Sequence, residues 1–341
     1  MKRRSSRMRS RARSSILIMF ACVAVLQIGL NIVLDTWKPE LLDPEYGERL
    51  HRVRALKKES PKKPLIVVLG SSRTEMGLSP SQIDQTNCSV FNYGMAGCGP
   101  VGEMVCLNRL LEAGIKPDRV VVEIIPAVLH GDGPIEAFVK MQRVAWSDLP
   151  LLAGYSNAPT NLYADWLRRR VGGWYLVRLC VVSRLCPGFL PGKDRLDHMW
   201  NTLDRFGWLP FPYTTIEPQK HEQMIVASID QYAGHMNKYE LSAMPLRAIE
   251  RIIETCRENN IEIAFHLMPE GPRFRASYPP HALKLFAKYV SDLEKRHHIK
   301  VYDCRTWMDE DDFADSHHLL PQGAAKFSRR FGHEVIAEMN P

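Results

Sequence analysis

Two hydrophobic periods alternate along most of this chain. Leu65-Ile66-Val67-Val68-Leu69 is an unbroken apolar run between Pro64 and Gly70. Such a run reads as a strand buried on both faces, the pattern of a parallel sheet covered by helices. Apolar runs at 89–91, 120–125, 261–268 and 299–303 each predict a further strand. Between them the spacing lengthens to that of a helix. Met104, Leu107, Leu110 and Leu111 share a face after Pro100, with Gly114 placed as the C-cap. Leu246, Ile249, Ile252, Ile253 and Cys256 share one over about 244–259, and Leu283, Phe286, Val290 and Leu293 another over about 281–296. This alternation predicts an α/β fold on a mostly parallel five-stranded sheet.

The N-terminus follows a different rule. Residues 16–34 carry no charge, and Gln27 and Asn31 are their only strongly polar members. As a helix they extend roughly 28 Å, close to the hydrocarbon thickness of a bilayer. A cleaved signal peptide has a shorter apolar core and a small-residue site after it, so 16–35 reads as a retained transmembrane signal anchor. Residues 1–15 form a basic arm that the charge rule places in the cytoplasm, with the remainder of the chain outside it. That arm holds seven of the 45 basic residues, leaving 38 against 38 acidic ones in the body. A neutral body gives no support to nucleic-acid binding. Residues 36–62 are charged and proline-containing, with a helical pattern over about 41–56, and read as a juxtamembrane stalk before a domain at 63–341.

Within that domain the rhythm breaks at about 126–240, which reads as a largely helical insertion rich in proline and tryptophan. Its segment from Trp166 to Leu176 is basic and aromatic. It either lies against lipid headgroups or packs over the sheet with its arginines solvated. Apart from Cys22 in the apolar segment there are seven cysteines, so at least one thiol stays free unless it pairs between chains. Cys180 and Cys186 are the pair that sequence proximity favours, and no spacing matches a zinc site. No metal or cofactor is expected.

Open α/β sheets place their chemistry at the carboxyl ends of the strands. Ser71 and Ser72 stand at such an end, either as helix cap and turn or as a nucleophile. Asp315-Ser316-His317-His318 precedes the last helical pattern, on the same sheet edge. A serine hydroxyl is a weak nucleophile until an imidazole takes its proton and a carboxylate fixes the tautomer. The spacing of three lets Asp315 reach His318, and adjacent side chains point apart, so one of His317 and His318 faces Ser72. Glu123 inside an apolar strand needs a partner, such as an arginine of the insertion, and reads as structural.

Gly70-Ser71-Ser72, Asn92-Tyr93-Gly94 and Asp315-Ser316-His317-His318-Leu319 resemble three blocks of the SGNH, or GDSL-type, hydrolases. The resemblance spans about 63–125 and 240–341, and within that family it points to membrane-anchored, extracytoplasmic proteins of bacterial envelopes. It implies a flavodoxin-like three-layer α/β/α sandwich with Ser72 as nucleophile, His318 as general base and Asp315 as its orienter. It also implies an oxyanion site from the amides of Ser72 and Gly94, in the block that holds Asn92. The implied reaction is hydrolysis or O-transfer of an acyl ester, with an envelope glycan as one substrate class.

Two positions depart from the pattern. Ser71 stands where the family has Asp, and Ile124–Val128 lacks the family's Gly-x-Asn-Asp, whose Asn donates to the oxyanion. One such donor is worth on the order of 3 kcal/mol in the transition state. Arg73 and His130 are substitute donors or structural residues. The missing Asn also raises the alternative of a catalytically silent envelope protein that binds glycan or a protein partner. Flavin or nucleotide binding lacks the Gly-x-Gly-x-x-Gly turn it needs.

Overall fold

The structure is a computed structural model that describes residues 2–131, 133–236 and 239–339. Five strands form: β1 (Leu65–Gly70), β2 (Ser89–Gly94), β3 (Arg119–Glu123), β4 (Glu262–Leu267) and β5 (Val301–Asp303). They lie in the order β2-β1-β3-β4-β5, and every pairing is parallel. The first helices are α1 (Lys2–Thr36), α2 (Pro44–Glu59), α3 (Ser72–Gly77), α4 (Pro100–Glu112), α5 (Leu149–Ala153), α6 (Pro159–Arg170) and α7 (Gly173–Leu185). After them come α8 (His198–Asn201), α9 (Pro218–Met236), α10 (Ala243–Glu258), α11 (Pro272–Ala276), α12 (Pro280–His297) and α13 (Pro321–Phe331).

Helices cover both faces of the sheet. Ile66, Val68, Val121 and Ala264 face a core completed by Phe327 and Phe331 of α13. Their neighbours Val67, Leu69, Val120, Val122 and Phe265 are equally buried and, by strand alternation, face the other side. There α4 and α10 pack on each other and reach β1 and β4. This is the expected α/β sandwich.

The chain divides into two compact units, Met1–Gly47 with Lys140–Asp197, and Glu48–Val139 with His198–Pro341. The expected insertion at 126–240 is therefore split, its middle belonging with α1 and its two ends with the sheet. In the first unit α1 is long and apolar enough over Ala12–Thr36 to cross a membrane, with a mean hydropathy of 2.5. In the second unit, residues 48–59 of α2, within the expected stalk, pack one face inward. Val53 and Leu56 are buried, and the buried Arg49 pairs with Glu75 at 2.7 Å. A helix with an apolar face packs wherever a surface is offered, and the composition alone did not show that face. Cys180 and Cys186 form no disulfide: Cys180 is buried within α7, while Cys186 follows the end of that helix and is exposed.

His266, the next-to-last residue of β4, is fully buried, with neither ring nitrogen hydrogen-bonded among the described residues and the ring edge-on to Phe331 at 5.4 Å between centroids. Burial pushes its pKa down to about 3. Folding therefore favours the neutral ring, the unfolded chain takes up the extra proton, and stability falls as pH drops from about 6.5 toward 3. At about pH 4.5 this one group should remove on the order of 2 kcal/mol relative to neutral pH. Urea unfolding of the detergent-solubilised chain should show this acid loss, and His266→Leu should flatten it. An equally steep loss in the variant would assign the acid limb to other groups.

Candidate active site

The site begins with the turn between β1 and α3. Gly70 is required by close approach, since a Cβ there would lie 2.2 Å from Thr74 Oγ1 and 2.6 Å from Glu123 Oε2. Ser71 takes the capping role, its Oγ accepting from the Arg73 amide at 3.1 Å. Its own amide donates to Glu123 Oε2 at 2.7 Å, and Thr74 Oγ1 donates to the same oxygen at 2.8 Å. The partner of Glu123 is thus this turn and not an arginine of the insertion. With Ser71 committed, Ser72 stands at the first position of α3, and its amide has no hydrogen-bond partner among the described residues.

Asp315 and His318 reach Ser72 from the loop between β5 and α13. Ser72 Oγ lies 2.8 Å from His318 Nε2, and His318 Nδ1 lies 2.8 Å from Asp315 Oδ2. The other oxygen, Asp315 Oδ1, accepts from the backbone amides of His318 at 2.8 Å and His317 at 3.2 Å. Burial by itself would raise the Asp315 pKa, but the hydrogen bond and charge of His318, with the second imidazole of His317, override it. The carboxyl is held well below the usual range. An ionised Asp315 on Nδ1 assigns the ring proton to that nitrogen, so Nε2 of the neutral ring accepts from the Ser72 hydroxyl.

His317 and His318 do not point apart. Their ring centroids are 3.9 Å apart, because Ser316 bends the chain with φ +68°. Ser316 is fixed there by two bonds, its Oγ accepting from the Phe274 amide at 3.1 Å and its carbonyl from the Gly271 amide at 2.7 Å. The buried His317 turns to Ser228, with Nδ1 2.9 Å from Oγ, and packs on Phe274 and Tyr232. Burial first, and then the charge of His318, push its pKa well down, so it serves as a neutral wall. Asp315, His317 and His318 also bring donor atoms within 4.8 Å of one another, as a metal site would. The bonds just described engage Asp315 Oδ2, His318 and His317 Nδ1 with protein partners, so the cluster reads as a hydrogen-bond relay.

Of the two amides expected to form the oxyanion site, that of Gly94 is already engaged. The Gly94 amide donates to Asn92 Oδ1 at 2.8 Å. Asn92 is fully buried, and its Nδ2 donates to the carbonyls of Leu78 at 2.6 Å, Thr74 at 2.7 Å and Glu75 at 3.2 Å. Asn92 is therefore a clamp that fastens α3 to β2, and Gly94 is glycine because a Cβ would meet the Glu75 amide at 2.3 Å. Nor do the substitutes stand at the missing third-block position. Arg73 is buried and pairs with Glu270 at 2.8 Å beneath the Phe274 ring, while His130 Nδ1 accepts from the Glu240 amide at 3.1 Å.

Beside Ser72 opens a cleft of about 170 Å³, lined by the turn 97–101, Ile125, Val128, Ala137, Phe138 and Tyr232. A larger hollow of about 420 Å³ near Gln82, Cys88 and His333 shares no residue with it. Phe211 brings its ring to 6.2 Å from His318. Sequence reasoning missed the role of Glu123, although a carboxylate in an apolar strand was its signal. It also missed Tyr232, Ser228 and Phe211, for which the pattern of the chain holds no signal.

One family model, of an uncharacterised family, matches residues 233–340. The matched stretch carries β4, β5, Asp315 and His318 but not Ser72. A comparison with curated proteins finds no match.

Stability separates the two kinds of residue at this site. Asn92→Ala takes the side-chain partner from the Leu78 carbonyl and the Gly94 amide, while the Thr74 and Glu75 carbonyls keep the amides of Leu78 and Leu209, and should destabilise the chain by roughly 2–4 kcal/mol in urea unfolding. Ser72→Ala removes a half-buried hydroxyl and should stay within about 1 kcal/mol of the parent. Equal losses for both would contradict the assignment of Asn92 as the clamp.

Proposed function

We propose that this chain is a membrane-anchored serine esterase or O-acyltransferase of SGNH type, working on an acyl ester outside the cytoplasm. One observation carries the reading: an unbroken relay from Ser72 through His318 to Asp315, with 2.8 Å at both links. In the proposed reaction His318 Nε2 takes the Ser72 proton as Oγ attacks the acyl carbonyl. The imidazolium then gives that proton to the departing alkoxide, leaving the acyl group on Ser72. Water or a sugar hydroxyl, deprotonated by the same nitrogen, attacks the acyl-enzyme and restores the serine. Asp315 holds the ring and stabilises its charged form.

The Ser72 amide, with the amides of Gly97 and Gly99 in the wall of the same cleft, is the proposed source of oxyanion donors. The cleft of about 170 Å³ has room for an acyl group of a few carbons. The apolar span of α1 supports a single-pass anchor, and the arginine-rich arm supports a cytoplasmic N-terminus, so that the substrate is an envelope ester or glycan. A second reading, a silent protein that binds glycan or a partner in the same cleft, draws on one observation. The Gly94 amide is already taken, and Ile124–Val128 offers no amide side chain in its place.

Purified full-length chain should react with a fluorophosphonate probe and hydrolyse 4-nitrophenyl acetate, and Ser72→Ala should abolish both. Asp315→Asn should lower turnover on the order of 10³- to 10⁴-fold by leaving the wrong tautomer. Labelling undiminished in Ser72→Ala would remove the serine from the mechanism. No labelling of the parent chain would favour the silent binder.

A further inference from the structure

The first unit carries a feature that the proposed chemistry does not use. α7 is apolar along almost its whole length, with Arg178, Ser183 and Arg184 its polar members. Its inner face packs along the C-terminal half of α1, where Val177 shares a buried cluster with Leu34 and Leu42, flanked by Leu30, Leu176 and Val181. At the α6–α7 junction Gly173 meets the two polar residues of the apolar segment. A Cβ on Gly173 would lie 2.9 Å from Asn31 Oδ1 and 3.4 Å from Gln27 Oε1. Asn31 Nδ2 donates to the Arg170 carbonyl at 2.7 Å, and Arg170 pairs with Asp35 at 2.9 Å. A small residue at the crossing with polar side chains bonded across it is how helices associate inside a bilayer.

The outer face of the same helices is bare. Leu167, Val171, Trp174, Tyr175, Leu185 and Phe189 are all exposed, Tyr175 by 68% and Leu185 by 75%. Arg168 and Arg169 are exposed among them, long enough to reach headgroups from an apolar surface. An apolar face of this extent is covered in the working protein. The geometry of α1 says by what. Asn31 and Gln27 lie five and nine residues before the end of the candidate span at Thr36, or roughly 8 and 14 Å below it along a helix axis. Whatever packs against them sits at the same depth.

We propose that α6 and α7 form a second membrane contact, with the face of Trp174, Tyr175 and Leu185 seated in the outer leaflet beside α1. The proposal rests on the reading of α1 as a membrane span. It is independent of the acyl chemistry. Trp and Tyr at the entry of α7 and arginines around it match the aromatic and basic flanks that interfacial helices use.

The test uses the full chain in phosphatidylethanolamine–phosphatidylglycerol vesicles. A benzophenone amino acid is placed in turn at Val25, Tyr175, Leu185 and the exposed Leu285 of α12. Irradiation should attach lipid at Val25, Tyr175 and Leu185 and not at Leu285, read as lipid-mass adducts. Lipid at Val25 but none at Tyr175 and Leu185 overturns the second contact while leaving the span. Chain-to-chain adducts at Tyr175 and Leu185 overturn it in favour of a second copy covering the face. No lipid at Val25 removes the span reading, and the proposal with it. Hydroxyl-radical footprinting of the unmodified chain checks the same point without substitution. In the vesicles, oxidation of Trp174 and Tyr175 should be several-fold lower than that of the exposed Tyr213, and equal oxidation would overturn the proposal.

Discussion

The Glu123 carboxylate fixes the turn on which the rest of the site depends. One of its oxygens receives the Ser71 amide and the Thr74 hydroxyl, and the contact is possible only because residue 70 has no side chain. The sheet order explains why Glu123 can do this. β1 lies between β2 and β3, so each neighbour ends beside the same turn. β3 contributes Glu123 and β2 contributes Asn92, which binds three carbonyls of the following helix. A six-residue helix has little stability alone. Clamped from both sides, α3 holds Ser72 where an imidazole from a distant loop can meet it. The nearby Glu103 is also buried, and burial first, then the charge of Glu123, raise its pKa well above the usual carboxyl range.

The opposite side of the relay is held by a different device. Ser316 adopts a left-handed conformation that a side chain seldom takes, and its hydroxyl and carbonyl are both bonded to the segment that follows β4. That segment also carries Glu270, whose carboxylate receives Arg73 and the Tyr278 hydroxyl. Arg73 follows Ser72 directly. The Ser72 turn and the histidine loop are thus tied through one buried ion pair, and a break there would move both partners of the relay at once. Burial of a paired charge of this kind specifies geometry more than it stabilises.

Much of the scaffold was legible because its physics is local. Unbroken apolar runs located all five strands, the 3.6-residue period located α4, α10 and α12, and the end of a buried strand marked where chemistry sits. Ser72, Asp315 and His318 were legible for the same reason, since loops at one sheet edge must converge. What the pattern hid was non-local. Nothing in Asn92-Tyr93-Gly94 shows that the side chain of the first residue would occupy the amide of the third. The buried face of α2 and the approach of Tyr232 and Ser228 depend on surfaces that only the assembled chain presents. The expectation that His317 and His318 diverge failed because it assumed an ordinary backbone at Ser316.

The Asn92–Gly94 bond sharpens the chemistry further. An amide that donates to a buried side-chain oxygen at 2.8 Å is unavailable to an oxyanion unless that bond lengthens, and Asn92 has no room to move while three carbonyls hold it. Under the proposed chemistry an oxyanion would be met from the Ser72 amide and from the other wall of the cleft, where Gly97, Gly99 and the start of α4 stand. A thirteen-residue helix whose first turn faces the cleft brings partial positive charge to that wall. The substituted third block and the glycine-rich turn are in this sense one feature. If the chain is a catalyst, the loss of a donor at Ile124–Val128 is compensated at 97–101. If it is silent, that turn should tolerate side chains that a reacting carbonyl would not.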